Sequence, residues 1–278
     1  MSRPLEGKLA IITGSSRGIG AAIAENLASK GCNIALNYTS PSSTSIANDL
    51  AAQLTSSHNI KVVPIQADIG SPEGPAKLVQ DVKSAFSSSD NTFQIDIIIN
   101  NAGIAQNALL PDVTIPQFEA TYRVNVLGPL LLVQAAQPYL PKDRSGRIVN
   151  ISSVSSSTGF VTQSVYGGTK AALEAMTRTW SRELAQNATV NAVNPGPVEG
   201  PMYASNAEVF LEGIEGWIKH TPLMKAQEGD VKDESLPDGT RAARTGEIAG
   251  VVGMLCGMEA GWITGQVVCA NGGMVMLH

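Results

Sequence analysis

Charge is scarce in this chain, and so are the residues that build metal sites and disulfide frameworks. Only 15% of its 278 residues are charged, against 43% hydrophobic. That balance describes a globular chain able to bury a large core, not a disordered one. The length suits a single α/β domain. The net charge is −5 and no run of Lys or Arg stands out, which argues against a nucleic-acid or anionic-membrane surface. Three cysteines, Cys32, Cys256 and Cys269, share no CxxC spacing and read as free thiols of a reducing compartment. His58, His220 and His278 are far apart, no His/Cys cluster has ligand spacing, and no metal is expected. No apolar stretch reaches the roughly 18 residues of a membrane span. The opening MSRPLEGK lacks a signal-peptide apolar region, and the final Val-Met-Leu-His is no peroxisomal or ER address. The expected location is cytoplasmic, with no membrane or nucleic-acid partner.

Short Ile/Val-rich runs without polar alternation occur at 9–13, 33–38, 62–66, 95–100, 147–151, 189–193 and 266–270. Strands covered on both faces look like this. Helical patterns lie between them at 19–30, 44–54, 73–86, 115–139, 165–186 and 246–256. The alternation predicts a Rossmann-type α/β fold: one domain over 1–278, with a doubly wound, parallel, seven-stranded sheet and helices on both faces. The rhythm breaks at 195–243, which opens on Pro-Gly-Pro, carries an amphipathic stretch at 208–219 and continues into a polar tract at 225–241. A loop this long in a compact domain reads as a substrate lid or as a tolerated surface insertion. As a lid, its apolar residues Phe210, Leu211, Ile214, Trp217 and Ile218 would cover a ligand.

The first run leads into Thr13-Gly14-Ser15-Ser16-Arg17-Gly18-Ile19-Gly20. The spacing is G-x-x-x-G-x-G between strand and helix. Gly14 permits the sharp turn, Gly18 lets backbone approach a pyrophosphate, and Gly20 lets the helix pack close to the strand. The helix N-terminus then faces negative charge. An NAD site usually places an acid at the end of the second strand to hold the ribose 2′-hydroxyl. Here that stretch reads Asn37-Tyr38-Thr39-Ser40. Neutral donors with Arg17 nearby favour NADPH; the other reading of Arg17 is a solvated surface cation.

These residues resemble the short-chain dehydrogenase/reductase family in its compact form. The likeness rests on TGSSRGIG at 13–20, Asp68-Ile69 and Asn100-Asn101-Ala102-Gly103. It continues through Asn125, Ser153, the Tyr166-x-x-x-Lys170 pair and Pro195-Gly196. The order is kept over nearly the whole chain. Within the family the sequence looks most like 3-oxoacyl-carrier-protein reductases and fungal-type polyketide and naphthol reductases. The resemblance implies an NADPH/NADP+ cofactor whose phosphates and adenosine side meet Gly14, Ser16, Arg17, Gly18 and Ile19. Thr39 and Ser40 would lie near the 2′-phosphate, Asp68 and Ile69 at the adenine, and Asn101, Ala102 and Gly103 along the ribose. Beyond Pro195 and Gly196, Val198 would meet the nicotinamide amide through its backbone. Two positions depart from the pattern: Gly200 stands where a Thr often hydrogen-bonds the carboxamide, and Gly168 replaces an Ala within the Tyr/Lys motif.

The resemblance implies the catalytic set Asn125, Ser153, Tyr166 and Lys170, and elementary chemistry supports it. Reducing a carbonyl needs a hydride, which NADPH brings, and a proton. A free phenol, pKa ~10, is poorly matched to neutral pH, and a nearby cation lowers that value. Tyr166 and Lys170 are four apart on a helix and share a face, with Cβ atoms ~5–6 Å apart. Lys170 is thus expected to tune Tyr166 and to hold the nicotinamide ribose. Ser153 would hydrogen-bond the substrate oxygen as charge builds on it, with Ser152 the rival for that place. Asn125 would position a water that resupplies the proton.

The expected activity is reduction of a ketone to a secondary alcohol, with a small-molecule carbonyl substrate, free or thioester-bound. Apolar residues at the expected mouth, among them Phe160, Val161, Leu109, Met202 and Trp217, favour an aromatic or acyl ketone over a sugar. A non-catalytic dinucleotide sensor or scaffold, and an epimerase or dehydratase on the same fold, are the alternatives. The resemblance implies a homotetramer, or at least a dimer, and helices apolar on more than one face agree with it.

Overall fold

The computed structural model describes residues 3–90, 92–230 and 236–276. The seven expected strands form β1 (Leu9–Ile12), β2 (Asn33–Tyr38), β3 (Val62–Gln66), β4 (Ile97–Asn100), β5 (Gly146–Ile151), β6 (Ala188–Pro195) and β7 (Val267–Ala270). They make one sheet in the order β3-β2-β1-β4-β5-β6-β7, and every pairing is parallel. Every residue of β1, β4, β5 and β6 is buried, which is why these segments read without the polar alternation of a one-sided strand.

The helices are α1 (Gly18–Ser29), α2 (Thr44–His58), α3 (Gly74–Phe86), α4 (Ile115–Tyr122), α5 (Gly128–Ala136), α6 (Ser155–Thr158), α7 (Ser164–Glu183), α8 (Pro201–Ala204), α9 (Glu208–His220) and α10 (Thr245–Leu255). Two apolar layers flank the sheet. Ile23 and Leu27 of α1 pack with Ile248 and Val252 of α10 on one face. Leu78 and Val82 of α3, Leu132 of α5, and Leu173 and Trp180 of α7 cover the other. The chain leaves β3 and crosses to β4 on the far side of β1, so the strand order reverses there. Ligands of open α/β sheets bind outside the C-terminal strand ends at such a reversal. Gly14, Thr39, Asp68, Asn101, Ser153 and Gly196 all follow directly on those ends.

The single helix expected over 115–139 is broken. A π-turn at Arg123–Leu127 separates α4 from α5, and a 3-10 turn, Gln137–Tyr139, ends the segment. Pro129 is the physical reason. It has no N–H to give to the carbonyl of Asn125 four residues back, and its ring crowds that carbonyl.

The described residues of the 195–243 segment are folded. Phe210, Ile214 and Ile218 of α9 are buried with Val154, Tyr203 and Met224. The apolar face expected to close over a ligand is therefore packed on the body in this structure. Its polar continuation is anchored: Lys225 bridges Thr240, Arg241 holds Glu247 of α10 in a two-bond fork at 2.7 and 2.8 Å, and Arg244 holds Asp230 at 2.6 Å. Residues 231–235 of that tract lie outside the described residues.

Candidate active site

The glycine-rich turn is shaped by its neighbours. Gly14 and Gly18 both have φ +60°, a conformation that glycine adopts without steric cost. A Cβ on Gly20 would lie 2.5 Å from the Gly14 carbonyl oxygen, so the third glycine lets the start of α1 close onto the turn. Asn101 donates its amide to the carbonyls of Thr13 and Gly14 at 2.9 and 3.0 Å, and Asn37 accepts from the Gly14 N–H at 3.2 Å. The side chains of Asn37 and Asn101 therefore build the turn, and Ala102 packs against Gly14.

What this turn presents fits a dinucleotide. The N-cap residue of α1, Arg17, makes no side-chain capping bond, so the first N–H groups of α1 have no side-chain cap and suit a phosphate. Open space surrounds the position of a Cβ on Gly18. Arg17, Thr39 and Ser40 are exposed and Ser16 lines the turn. Ile19 packs partly against the core. Asp68 uses one carboxylate oxygen to accept the Gly70 N–H at 2.9 Å. Ile69 turns its side chain into the core, and a Cβ on Gly128 would lie 2.4 Å from it. Its backbone alone is left to meet an adenine.

Strand β5 meets α7 through three consecutive residues. The Ile151 carbonyl accepts from Lys170 Nζ at 2.7 Å. Ser152 donates to Glu174 Oε1 at 2.6 Å. Ser153 faces the Tyr166 hydroxyl and lowers its pKa. The side-chain choice at this corner follows: Ser152 is turned to Glu174, and Ser153 is the serine beside the phenol. The Ser153 hydroxyl donates to Ser155 Oγ at 3.1 Å and accepts the Ser155 N–H at 3.2 Å.

The electrostatics differ from the expected tuning. Burial pushes the Tyr166 phenol above its ordinary value, and the Ser153 hydroxyl only partly offsets this. The Lys170 Nζ lies 5.6 Å from the centre of the Tyr166 ring. Engaged with Ile151 and itself desolvated, Lys170 is lowered to about 8, with the charge of Glu174 opposing the shift.

Asn125 joins the cluster from the π-turn. A Cβ on Gly103 would lie 3.4 Å from Asn125 Oδ1 and 3.5 Å from Lys170 Nζ. The Asn125 amide is fully engaged: its oxygen accepts the Ile104 N–H at 2.9 Å, and its nitrogen donates to the Ile104 carbonyl at 2.9 Å and to Thr169 at 3.1 Å. Its main-chain carbonyl lies four residues before Pro129, which has no N–H to give it.

At the far end, Pro195 accepts from the Val154 N–H at 3.0 Å, and Gly196 packs on Asn271. Val198 forms a parallel bridge with Ala243 in which its neighbours make the bonds, Glu199 N–H to Ala243 and Ala243 N–H to Pro197, both 2.9 Å. In such a bridge the central residue's own N–H and C=O point the other way. Gly200 has φ +135°, which a Thr would adopt only under strain. Gly168 also has a reason: a Cβ there would lie 3.0 Å from the Tyr122 hydroxyl.

Three segments expected around the substrate come together. Ala108 donates to the Thr162 carbonyl at 3.0 Å, and Asn107 donates to Asn206 at 2.9 Å. Gln163, buried, starts the face of α7 that continues with Tyr166. Glu174 and Gln163 escaped the sequence reading; the only available signal was their spacing from Tyr166 and Lys170. Among the described residues, no group of three or more His, Cys, Asp or Glu side chains is arranged to hold a metal ion, and no helix is long and apolar enough to cross a membrane.

A family model described as short chain dehydrogenase matches residues 8–209. The chain is 53% identical to an L-xylulose reductase of Aspergillus niger and 47% identical to an L-xylo-3-hexulose reductase of Hypocrea jecorina, in each case over 99% of both chains. The kinds expected from the motifs are similar at lower identity: 36% for a 3-oxoacyl-acyl-carrier-protein reductase of Aquifex aeolicus, over 99% of this chain and 100% of the other, and 30% for a probable tetrahydroxynaphthalene reductase of Zymoseptoria tritici, over 98% and 96%. Among solved structures, a blue fluorescent protein from a metagenomic library in complex with NADPH superposes with a TM-score of 0.83 at 32% identity, over 98% of this chain and 100% of that one. The protein is an oxidoreductase of the short-chain dehydrogenase/reductase family.

Proposed function

We propose that this chain reduces the ketone of a linear ketose to a secondary alcohol, with NADPH as cofactor. The observation that carries the reaction is the contact of β5 with α7, which gathers Ser153, Tyr166 and Lys170 at one strand end. The cofactor supplies the hydride when bound. NADP(H) is favoured by the absence of an acid at Thr39 and Ser40 and by the exposed Arg17 at the start of α1, and solved relatives hold NADPH or NADP. Gly14, Ser16, Gly18 and Ile19 receive its phosphates, Asp68 and Ile69 its adenine, and Asn101 to Gly103 its ribose. The Val198 backbone takes its carboxamide in place of the missing Thr hydroxyl.

Tyr166 gives its proton to the substrate oxygen. Burial keeps the phenol protonated near neutral pH, which suits a general acid. Ser153 hydrogen-bonds the same oxygen as charge builds on it. Lys170, displaced from the Ile151 carbonyl toward the ribose, stabilises the phenolate left behind. A water held by the Asn125 carbonyl returns the proton.

The ketose reading rests on the two most similar relatives named above and on buried polar atoms in the segments expected around the substrate. Asn107 Oδ1, Thr162 Oγ1 and Gln163 Oε1 are buried acceptors without a protein partner. A polyhydroxylated substrate satisfies such groups, whereas an acyl chain or naphthol leaves them dry at a cost of about 1–3 kcal/mol each. The aromatic residues that suggested an apolar pocket are largely spent on one another: Phe160 packs edge-on against Phe210 and Trp217 at 6.0 and 5.7 Å. NADPH consumption with L-xylulose, L-xylo-3-hexulose, a 3-oxoacyl thioester and a naphthol tests this. The ketoses are expected to give the highest kcat/KM; a higher value for thioester or naphthol overturns the substrate, and loss of ketose without NADPH consumption overturns reduction. The acting form is a homo-oligomer, a tetramer or dimer. Ile115, Phe118, Leu127 and Leu130 are exposed apolar residues along α4, the π-turn and α5, suited to a second copy.

A further inference from the structure

Tyr166, Lys170 and Glu174 are spaced by four on α7, so they form one row along the helix. Each member meets a different residue of the β5 exit: Lys170 meets Ile151, Glu174 meets Ser152, and Tyr166 meets Ser153. The reaction uses two of these contacts and gives no reason for the third. Glu174 is a carboxylate only 8% exposed. Such a group is costly to bury unless something requires its charge. Its oxygen Oε1 accepts from Ser152, just past β5, at 2.6 Å and from Asn194 on β6 at 3.3 Å. Asn194 immediately precedes Pro195-Gly196, so the carboxylate ties both strand ends that frame the nicotinamide position to the helix bearing the proton donor.

We propose that Glu174 is a positioning residue for the reaction: its buried negative charge keeps Lys170 cationic, and its hydrogen bonds hold the β5 and β6 exits in register with α7. The inference rests on the assignment of Tyr166 and Lys170 given above. Other groups packed on the pair are Ser152, Asn194, Asn125, Thr169 and Gly103, none of which titrates near neutrality. Tyr166 is the remaining titratable neighbour, and it is neutral there. Without Glu174, nothing in that shell opposes desolvation of the Lys170 ammonium, which already brings it to about 8.

Glu174→Gln keeps the shape and an acceptor for Ser152 and Asn194, and removes only the charge. The first test needs no substrate: urea unfolding of the full chain at about pH 7 and about pH 9. Lowering the folded pKa of Lys170 further adds a cost that is present below the parent's value of about 8 and vanishes above it, because both folded proteins then hold a neutral Lys170. Glu174→Gln is therefore expected to lose stability at pH 7 and to recover most of it at pH 9. Ser152→Ala, which keeps the charge, is expected to lose the same amount at both. Equal losses for Glu174→Gln at the two pH values overturn the proposal. Should that variant be unfolded at both, the double variant Glu174→Gln/Lys170→Met decides: a refolded protein supports the proposal, and an unfolded one overturns it. The second test is kcat/KM against pH with the best ketone of the panel above. The alkaline limb is expected to move down by about one pH unit in Glu174→Gln and to return in Glu174→Asp. A reduced rate with an unmoved limb marks a merely structural residue. Loss of turnover in the unsubstituted enzyme would instead fault the assignment of Tyr166, while the unfolding test still judges Glu174.

Discussion

Gly167 faces Ser155 so closely that a Cβ on it would lie 2.5 Å from the Ser155 carbonyl oxygen. This contact presses the first turn of α7 against α6 and brings Tyr166 to Ser153. Gly167→Ala sets two effects against each other. The helix interior gains about 1 kcal/mol from alanine, while overpacking against fixed backbone costs about 1–3 kcal/mol. The expected outcome is a net loss of stability in urea unfolding together with at least a tenfold fall in kcat, because separating Tyr166 from Ser153 removes the geometry of proton transfer. A variant as stable and active as the parent contradicts this reading of the contact.

The fork between Arg241 and Glu247 fixes the polar tract to the start of α10. Its hydrogen bonds hold the Glu247 carboxyl at about 2. Because the folded value is depressed, the stabilisation is fully present above the ordinary carboxylate value of ~4.3 and is lost as pH falls toward about 2. Glu247 is half exposed, so screening limits the effect to about 1 kcal/mol or less. Glu247→Gln is expected to lower stability slightly at pH 7, with a difference that shrinks below about pH 4, and to speed hydrogen exchange in 225–230 and 236–243 more than in the sheet. Exchange that rises equally everywhere would contradict the anchoring role.

Arg17 stands exposed at the start of α1 with no acid at the end of β2. Arg17→Ala is expected to weaken NADPH more than NADH, by roughly 1–2 kcal/mol in kcat/KM on the scale of a charge-assisted hydrogen bond. Equal losses with the two cofactors would assign Arg17 to solvent and remove it from the account of cofactor choice.

The sheet was legible because its central strands are buried on both faces, so β1 and β4 read as apolar runs and β5 and β6 as Ile/Val-rich stretches without polar alternation. The glycine turn and the Tyr166/Lys170 spacing were legible because local geometry demands those residues. What escaped depends on tertiary partners. The break at Arg123–Leu127 needed the missing N–H of Pro129 to be weighed against a long apolar pattern. Glu174 reads as one more solvated helix charge until Ser152 and Asn194 close over it. Asn37 and Asn101 look like cofactor donors in sequence, and the fold spends them on the turn. The apolar residues of 195–243 suggested a cover for the ligand, yet Phe210, Ile214 and Ile218 face Val154 and Met224.

The central claim is that Tyr166 donates the proton. Tyr166→Phe keeps the ring and removes only the hydroxyl. NADPH binding by titration calorimetry and NADPH oxidation with L-xylulose, measured on the same preparation, test it most directly. The account predicts binding within about twofold of the parent and turnover reduced by at least a thousandfold, on the order of a lost general acid and its hydrogen bond together. Retention of more than a few per cent of the rate with binding intact would contradict it.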